Sequence, residues 1–356
     1  MALAPLRNLF PRITSFSNLL AAARKAQRGK RYRADVLAFN ANLELELFRL
    51  QHELEHRTYA PGPYRRFHIR DPKPRIISAA PYRDRVVHHA LCAVIGPPLE
   101  RHFLATSYAN RVGYGSHRAL RKFARACRQH PWVLQIDIRL YFPSIDHQIL
   151  MAQLRQRITC PGTLWLLEQI LANGAEVGAA IDSFPGDSLF TPLERPRGLP
   201  IGNLTSQYLA NLHLNDFDHS VRALAGISAY LRYVDDGALF ADHPEPLQRA
   251  RLRIEQELAA LRLRLHPVKT QIRRTRDGAS FVGFHVVRGV IRLRNHSLLR
   301  GRRRLRSHAQ GVSAGYVSPD QARASLQSWS AHLAHGHTHN LRRRLFQGLS
   351  FAPELP

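Results

Sequence analysis

Tyr233-Val234-Asp235-Asp236, set inside the apolar run from Ala229 to Phe240, is the stretch whose reading decides the fold of this chain. Tyr230-Leu231-Arg232-Tyr233-Val234 and Gly237-Ala238-Leu239-Phe240 both have the composition of short strands. They predict a hairpin with the two acids at its tip and Gly237 helping to make the turn. Two carboxylates held side by side on rigid backbone repel unless a cation lies between them, so the pair predicts a divalent-metal site. An acidic hairpin turn carries the same Asp-Asp-Gly pattern, and the rest of the chain has to choose between the two.

Working outward, Val133 to Ile145 reads Val-Leu-Gln-Ile-Asp-Ile-Arg-Leu-Tyr-Phe-Pro-Ser-Ile, an apolar strand interrupted by Asp137. An unpaired acid is costly to bury, so Asp137 is expected at a strand end that opens on a site. Asp137 is far from Asp235 in sequence, and the two can meet only through tertiary structure, as three acids sharing two metals do. Phe142 follows five positions later and reads equally as a core aromatic. Between these acids, Gly198-Leu199-Pro200-Ile201-Gly202-Asn203-Leu204-Thr205-Ser206-Gln207 precedes a helix bearing Leu209, Leu212, Leu214 and Phe217. Its glycines allow close backbone approach to a ligand, and its polar side chains offer donors at a helix start, although a capped helix uses the same residues. After the acid pair come an amphipathic helix from Pro246 to Leu261, then Lys269, then a strand Phe281-Val282-Gly283-Phe284-His285-Val286-Val287 with a hairpin turn at Arg288-Gly289.

Upstream, residues 13 to 60 have helical spacing, with Asn42 as a cap for a helix bearing Leu43, Leu47, Leu50 and Leu54. Tyr64 to Arg70 and Arg75 to Ser78 predict a hairpin turning at Asp71-Pro72-Lys73-Pro74, which places Lys73 and Arg75 near a loop where cations can meet a triphosphate. Arg83-Asp84-Arg85 then opens a helix and reads equally as a cap with an internal ion pair. Downstream, Ile291 to Gln310 holds seven arginines and no acid, and Arg342-Arg343-Arg344 lies on a later helix. Such density suits a lobe that tracks phosphates. His332, His335, His337 and His339 complete no known zinc spacing.

Composition agrees with a polyanion partner. There are 52 Lys+Arg against 26 Asp+Glu, a formal charge of +26, in a chain of 356 residues whose 44% hydrophobic content can still build a core. Cys92, Cys127 and Cys160 are scattered without a Cys-x-x-Cys spacing, which argues against a disulfide framework and suits a cytoplasmic location. No segment approaches the ~20 apolar residues of a membrane helix, so no membrane partner is expected.

Asp137 with Phe142, then Gly198 to Gln207, then Tyr233 to Asp236, then Lys269 and Phe281 to Phe284 arrive in the order of the palm motifs of reverse transcriptases. The chain resembles that family from about Phe67 to Gly348. Ile201-Gly202-Asn203-Leu204-Thr205-Ser206-Gln207 is similar to the form found in diversity-generating retroelements. Arg83 to Ala90 and Ser107-Tyr108-Ala109-Asn110-Arg111 resemble the same subgroup.

The resemblance implies an α+β right-hand polymerase that copies RNA into DNA. It has a helical extension at 1–60, fingers at 61–125, a palm at 126–285 with an antiparallel sheet and helices on one face, and a basic helical thumb at 286–356. It implies two Mg2+ ions, for which Mn2+ can substitute, held by Asp137, Asp235 and Asp236 with the Ile138 carbonyl as a further ligand. Lys269 matches the lysine that protonates pyrophosphate. Lys73, Arg75, Phe142, Ile201, Gly202, Ser206 and Gln207 match nucleotide-binding positions, with Phe142 crowding a ribose 2'-hydroxyl. Phe281, Gly283, Arg302, Arg303 and Arg304 match nucleic-acid contacts. Partners implied are an RNA template, its RNA/DNA hybrid, deoxynucleoside triphosphates and a small basic accessory protein. Ile201 stands where the wider family has glutamine, and this with the subgroup implies errors at template adenines. The alternatives are a group II intron-like, retron or phage-defence enzyme, or a nonenzymatic RNA-binding protein on the same fold. All three acids are present, which speaks against the last.

Overall fold

The computed structural model describes residues 5–70, 74–175 and 182–346. In chain order its elements are α1 (Phe10–Thr14), α2 (Phe16–Ala26), α3 (Ala34–Ala41), α4 (Leu43–Glu55), β1 (Arg65–Ile69), β2 (Arg75–Ala79), α5 (Tyr82–Glu100), α6 (Ser116–Gln129) and β3 (Trp132–Asp137). There follow α7 (Tyr141–Ser144), α8 (His147–Arg157), α9 (Pro161–Gly174), α10 (Thr191–Glu194), α11 (Leu204–His213), α12 (Asn215–Arg222), β4 (Ala229–Tyr233), β5 (Asp236–Ala241) and α13 (Pro244–Ala260). β6 (Gln271–Arg274), β7 (Ala279–Phe281), β8 (Phe284–Val287), β9 (Val290–Leu293), α14 (Asn295–Ser313), α15 (Pro319–Leu333) and α16 (His339–Phe346) complete the chain. It divides into two compact units, Met1–Arg111 with Asp137–Ala223 and Leu252–Pro267, and Val112–Ile136 with Leu224–Arg251 and Val268–Pro356.

In the first unit α5 is the central helix, packed by α2, α11 and α1. Val86, Val87, Ala90 and Leu91 are fully buried, as their helical spacing requires. Leu47, Leu50 and Leu54 of α4 are likewise at 0% exposure. Asn42 makes no side-chain cap, because α3 ends at Ala41 and Asn42 is the joint between two helices rather than a free helix start. Arg83-Asp84-Arg85 does not pair internally either. Arg83 pairs with Glu53 and Arg85 with Asp35, while the buried Asp84 carboxylate accepts from the Tyr59 hydroxyl (2.8 Å) and the Gly62 amide (2.8 Å). Burial raises the Asp84 carboxyl above its usual range. β1 and β2 form the expected antiparallel hairpin, from Arg65 opposite Ala79 to Ile69 opposite Arg75; Asp71, Pro72 and Lys73 lie outside the described residues.

The second unit is built on a four-stranded sheet, order β4-β5-β3-β6, and a three-stranded sheet, order β7-β8-β9. α6 covers them with Ala119, Leu120, Phe123, Ala124 and Cys127, and Phe123 meets Phe240 edge-on and stacks on Phe281 at 4.6 Å. The strand expected from Phe281 to Val287 is two strands. Val282 and Gly283 take φ 42° and 90°, turning β7 into β8 before the expected turn at Arg288-Gly289 joins β8 to β9. α13 begins two residues earlier than its apolar period indicates. Among the described residues no helix is long and apolar enough to cross a membrane, and the three cysteines are free and buried.

Candidate active site

β3 is buried along its middle, with Val133 and Leu134 at 0% and Ile136 at 3% exposure, and it closes on Asp137. The chain leaves it through an antiparallel bridge of Ile138 with Leu265. His266 N–H donates to the Asp137 carbonyl (2.7 Å) and Arg139 N–H to the Arg264 carbonyl (2.8 Å). Neither bond uses the carbonyl of Ile138.

β4 and β5 pair from Ala229 opposite Phe240 to Tyr233 opposite Asp236. The turn is therefore Val234-Asp235, and Asp236 is the first residue of β5. Val234 takes φ 60°, as primed hairpin turns require at that position and as β-branched residues rarely allow. The guanidinium of Arg232, 1% exposed, donates to the Val234 carbonyl (2.9 Å) and braces this backbone. Gly237, expected in the turn, lies inside β5 opposite Arg232. It serves the approach of two strands: a Cβ there would stand 2.6 Å from Ile136 Cγ1. β5 is thus seated beside β3 by the residue after Asp236 and the residue before Asp137.

In the first unit, a second group of expected residues is joined by backbone. Leu199 N–H donates to the Phe142 carbonyl (2.9 Å), and Ser78 N–H of β2 to the Ile201 carbonyl (2.9 Å). Gly202 has φ 122° and would place a Cβ 3.0 Å from Ile77 Cγ2 and 3.3 Å from the Ser78 carbonyl oxygen, so this close docking on β2 demands glycine. Tyr141 ties Phe142 to α11 through its hydroxyl, which donates to the Ala210 carbonyl (2.5 Å). Arg75, Phe142, Ile201, Gly202 and Gln207 are each exposed or intermediate in burial, whereas Ser206 is at 2%, inside the packing of α11. Asn203, also at 2%, leaves its Nδ2 without a partner, a buried donor at the start of α11.

Lys73 lies outside the described residues. Lys269 is exposed in the turn before β6. Phe281 is 3% exposed and stacked on Phe123, so it supports its hairpin from within and does not present a ring to nucleic acid. Gly283 is open, and a Cβ there would meet nothing within 4 Å. Arg302, Arg303 and Arg304 are exposed on α14, while Leu305 faces inward. His335 stacks on His117 and His337 Nδ1 accepts from Ile291 N–H (3.0 Å), so these histidines are engaged in packing.

Asp137, Asp235 and Asp236 carry carboxylate oxygens, a donor type that hard divalent cations take. Among the described residues no three His, Cys, Asp or Glu side chains form a group that could hold a metal ion by themselves.

Sequence reasoning missed Arg232, although a cation inside an apolar strand was a visible signal. It also missed the acid-arginine set that fixes the segment before Gly198. The Asp146 carboxylate, 3% exposed, accepts from Arg195 Nε (2.5 Å) and Nη2 (2.7 Å), with Arg262 Nε at 3.5 Å. Arg262 in turn holds Asp187 through two bonds of 2.5 and 2.7 Å. Hydrogen bonding to Arg262 lowers the Asp187 carboxyl to about 2.

The profile of the family described as Reverse transcriptase (RNA-dependent DNA polymerase) matches residues 69–286. Protein YkfC of Escherichia coli (strain K12) is 28% identical over 292 residues, covering 70% of this chain and 73% of YkfC. Group II intron-encoded protein LtrA of Lactococcus lactis subsp. cremoris is 24% identical over 184 residues, 51% of this chain and 29% of LtrA. The putative COX1/OXI3 intron 1 protein of Saccharomyces cerevisiae is 22% identical over 222 residues, 62% of this chain and 25% of that protein. The chain therefore spans between a quarter and a third of these two intron proteins. Among solved structures, a chain of the partial Cas6-RT-Cas1--Cas2 complex is 22% identical with a TM-score of 0.40, covering 70% of this chain and 41% of that one.

Proposed function

The chain belongs to the reverse transcriptase family, the RNA-dependent DNA polymerases, and from that premise we propose that it copies an RNA template into DNA from deoxynucleoside triphosphates. The observation that carries the reading is the sheet itself: β3 closes on Asp137, its neighbour β5 opens on Asp236, and Gly237 lies against Ile136. Asp137, Asp235 and Asp236 are then the carboxylates that hold Mg2+ or Mn2+, with the Ile138 carbonyl beside them. When bound, the ions supply the positive charge that stabilises the attacking and leaving oxygens. The remaining work falls to the chain's own groups. Arg75, with Lys73, receives the triphosphate; Phe142, held by Leu199 and Tyr141, crowds a 2'-hydroxyl; Lys269 gives a proton to the departing pyrophosphate. In this reading fingers, palm and thumb are 61–125, 126–285 and 286–356.

The finer reading is the polymerase of a diversity-generating retroelement, working with a small basic accessory protein. It is supported by the resemblance of Ile201 to Gln207, and by Ile201 offering an apolar side chain on a segment docked to β2. The intron proteins among the relatives favour a second reading, a group II intron-like enzyme.

Primer extension on a defined RNA, followed by sequencing of the products, tests both levels. Asp235→Asn is expected to lose extension while still binding RNA, and full extension by that variant sinks the carboxylate assignment. Errors gathered opposite template adenines, reduced by Ile201→Gln, support the retroelement reading. Adenines copied as accurately as other bases favour the intron-like one. A lost polar contact of ~1–2 kcal/mol corresponds to roughly five- to thirtyfold in discrimination.

A further inference from the structure

α6 has two faces. Its apolar side is under the second unit's sheets, and its solvent side carries Arg118, Arg121, Lys122, Arg125 and Arg128, all exposed. At spacings of three and four residues these cations line one stripe, about 15 Å long at 1.5 Å per residue. None pairs with a carboxylate among the described residues, and Arg118 lies 4.6 Å from the ring centroid of Tyr114.

The stripe leads into a cavity of about 470 Å3 at the C-terminal end of α6, walled by Arg128, His130, Trp132, Arg274, Arg276 and Arg288. The wall is arranged by the fold. Trp132 opens β3 opposite Arg274 of β6, whose guanidinium carbon is 5.0 Å from the indole centroid. Arg288 occupies the β8–β9 turn at φ 49°, and Gly289 beside it leaves room for the Arg128 stem. Two acids stand nearby: Asp242 binds His130 at 2.9 Å, and Asp277 lies 3.7 Å from Arg276. Arg128, Arg274 and Arg288 have no carboxylate among the described residues. Like charges gathered around a concave wall repel one another until an anion enters, and an indole in the same wall offers a stacking surface. The cavity is at the opposite end of β3 from Asp137, about 17 Å away at ~3.3 Å per residue.

We propose that the solvent face of α6 and the cavity at its end form a second nucleic-acid site, which holds a single-stranded stretch of RNA outside the catalytic cleft. Phosphates follow the α6 stripe, and one unstacked base enters the cavity against Trp132. The stripe is longer than a mononucleotide, which is why a strand is the ligand; the choice of RNA rests on the polymerase reading above. An enzyme with this site can retain the flanking part of its template while the cleft moves along the copied part.

The test is binding of a fluorescent 20-nucleotide single-stranded RNA to the full chain, with unlabelled short RNA/DNA hybrid in excess to fill the cleft. Arg121→Gln/Arg125→Gln/Arg128→Gln should reduce the slope of log affinity against log salt by about two units, at roughly 0.7 per phosphate on a single strand. Trp132→Leu should weaken binding roughly five- to 150-fold with the slope unchanged. An abasic oligonucleotide should bind wild type and Trp132→Leu alike. Both variants should extend a primer as wild type does on a template whose single-stranded overhang is too short to reach this site, which shows that they are folded. Unchanged RNA affinity and slope in both variants overturn the proposal. So does ATP binding that the variants abolish while RNA binding persists, because the site then takes a mononucleotide. Asp235→Asn leaves this binding intact, so the two-site idea and the polymerase assignment fail by different results.

Discussion

In the segment from Asp182 to Arg195 and its anchor at Arg262-Leu263-Arg264, arginines are held by carboxylates, whereas along α6 and at Arg302 and Arg303 of α14 no carboxylate of the described residues meets them. Arg195 and Arg262 converge on Asp146, Arg262 also holds Asp187, and Arg139 and Arg264 reach Asp182. Arg262 and Arg264 further stand 5.0 and 5.1 Å from the ring of Phe184. The same residue type therefore serves as a structural clasp in one place and as uncompensated charge in the other. A formal charge of +26 says how many cations the chain has in excess, and the acids decide which of them are left to act on a polyanion.

Three measurements would break or sharpen that contrast. The largest effect belongs to Asp146→Ala. It strands Arg195 and Arg262, at 23% and 15% side-chain exposure, without their shared anion and should cost about 3–5 kcal/mol in urea unfolding. Arg302→Ala and Arg303→Ala should each stay within ~0.5 kcal/mol of wild type. Equal stability losses at the two places would erase the distinction. Next is the triple change Arg302→Ala, Arg303→Ala and Arg304→Ala. It should weaken hybrid binding across all sequences and flatten its salt dependence by roughly one unit of slope per lost contact. An Arg195→Ala variant that remains folded should leave the slope as it was, and a slope that moves there instead would place the polyanion footprint on the clasp.

The smallest effect concerns acid. Arg262 holds the Asp187 carboxyl below the ordinary aspartate value of 3.8, at about 2. A depressed carboxyl contributes stability in full above its unfolded value and loses it as the pH falls through the folded one. Between about pH 4 and pH 2 the wild type should lose stability that Asp187→Asn no longer has to lose. Parallel acid profiles for the two proteins would show that the ion pair contributes nothing to the fold.

Much of the site was legible because strand and helix periods are local. The hairpin around Asp235 and Asp236, the strand ending near Asp137, the buried face of α5 and the turn at Arg288-Gly289 all follow from spacing within a few residues. What escaped depends on neighbours distant in the chain. Gly237 looks like a turn glycine because it follows two acids, yet Ile136 is the reason a side chain cannot stand there. Phe281 looks like a nucleic-acid contact, yet Phe123 claims its ring. Arg83-Asp84-Arg85 looks self-paired, yet Glu53, Asp35 and Tyr59 are closer partners in space than the three are to one another along a helix.

By itself the sequence determined the acids, their placement at strand ends, the apolar periods that build the two sheets and their helices, and the excess of positive charge. Those properties are set by the backbone's own repeat and by residue counts, which need no knowledge of what lies across the fold. Only the tertiary structure decided that β5 sits beside β3, that Val234 must bear a positive φ braced by Arg232, and which arginines meet a carboxylate. The physical reason is that side-chain pairing and close packing act over a few ångströms between residues far apart in the chain, and no local period records such a meeting.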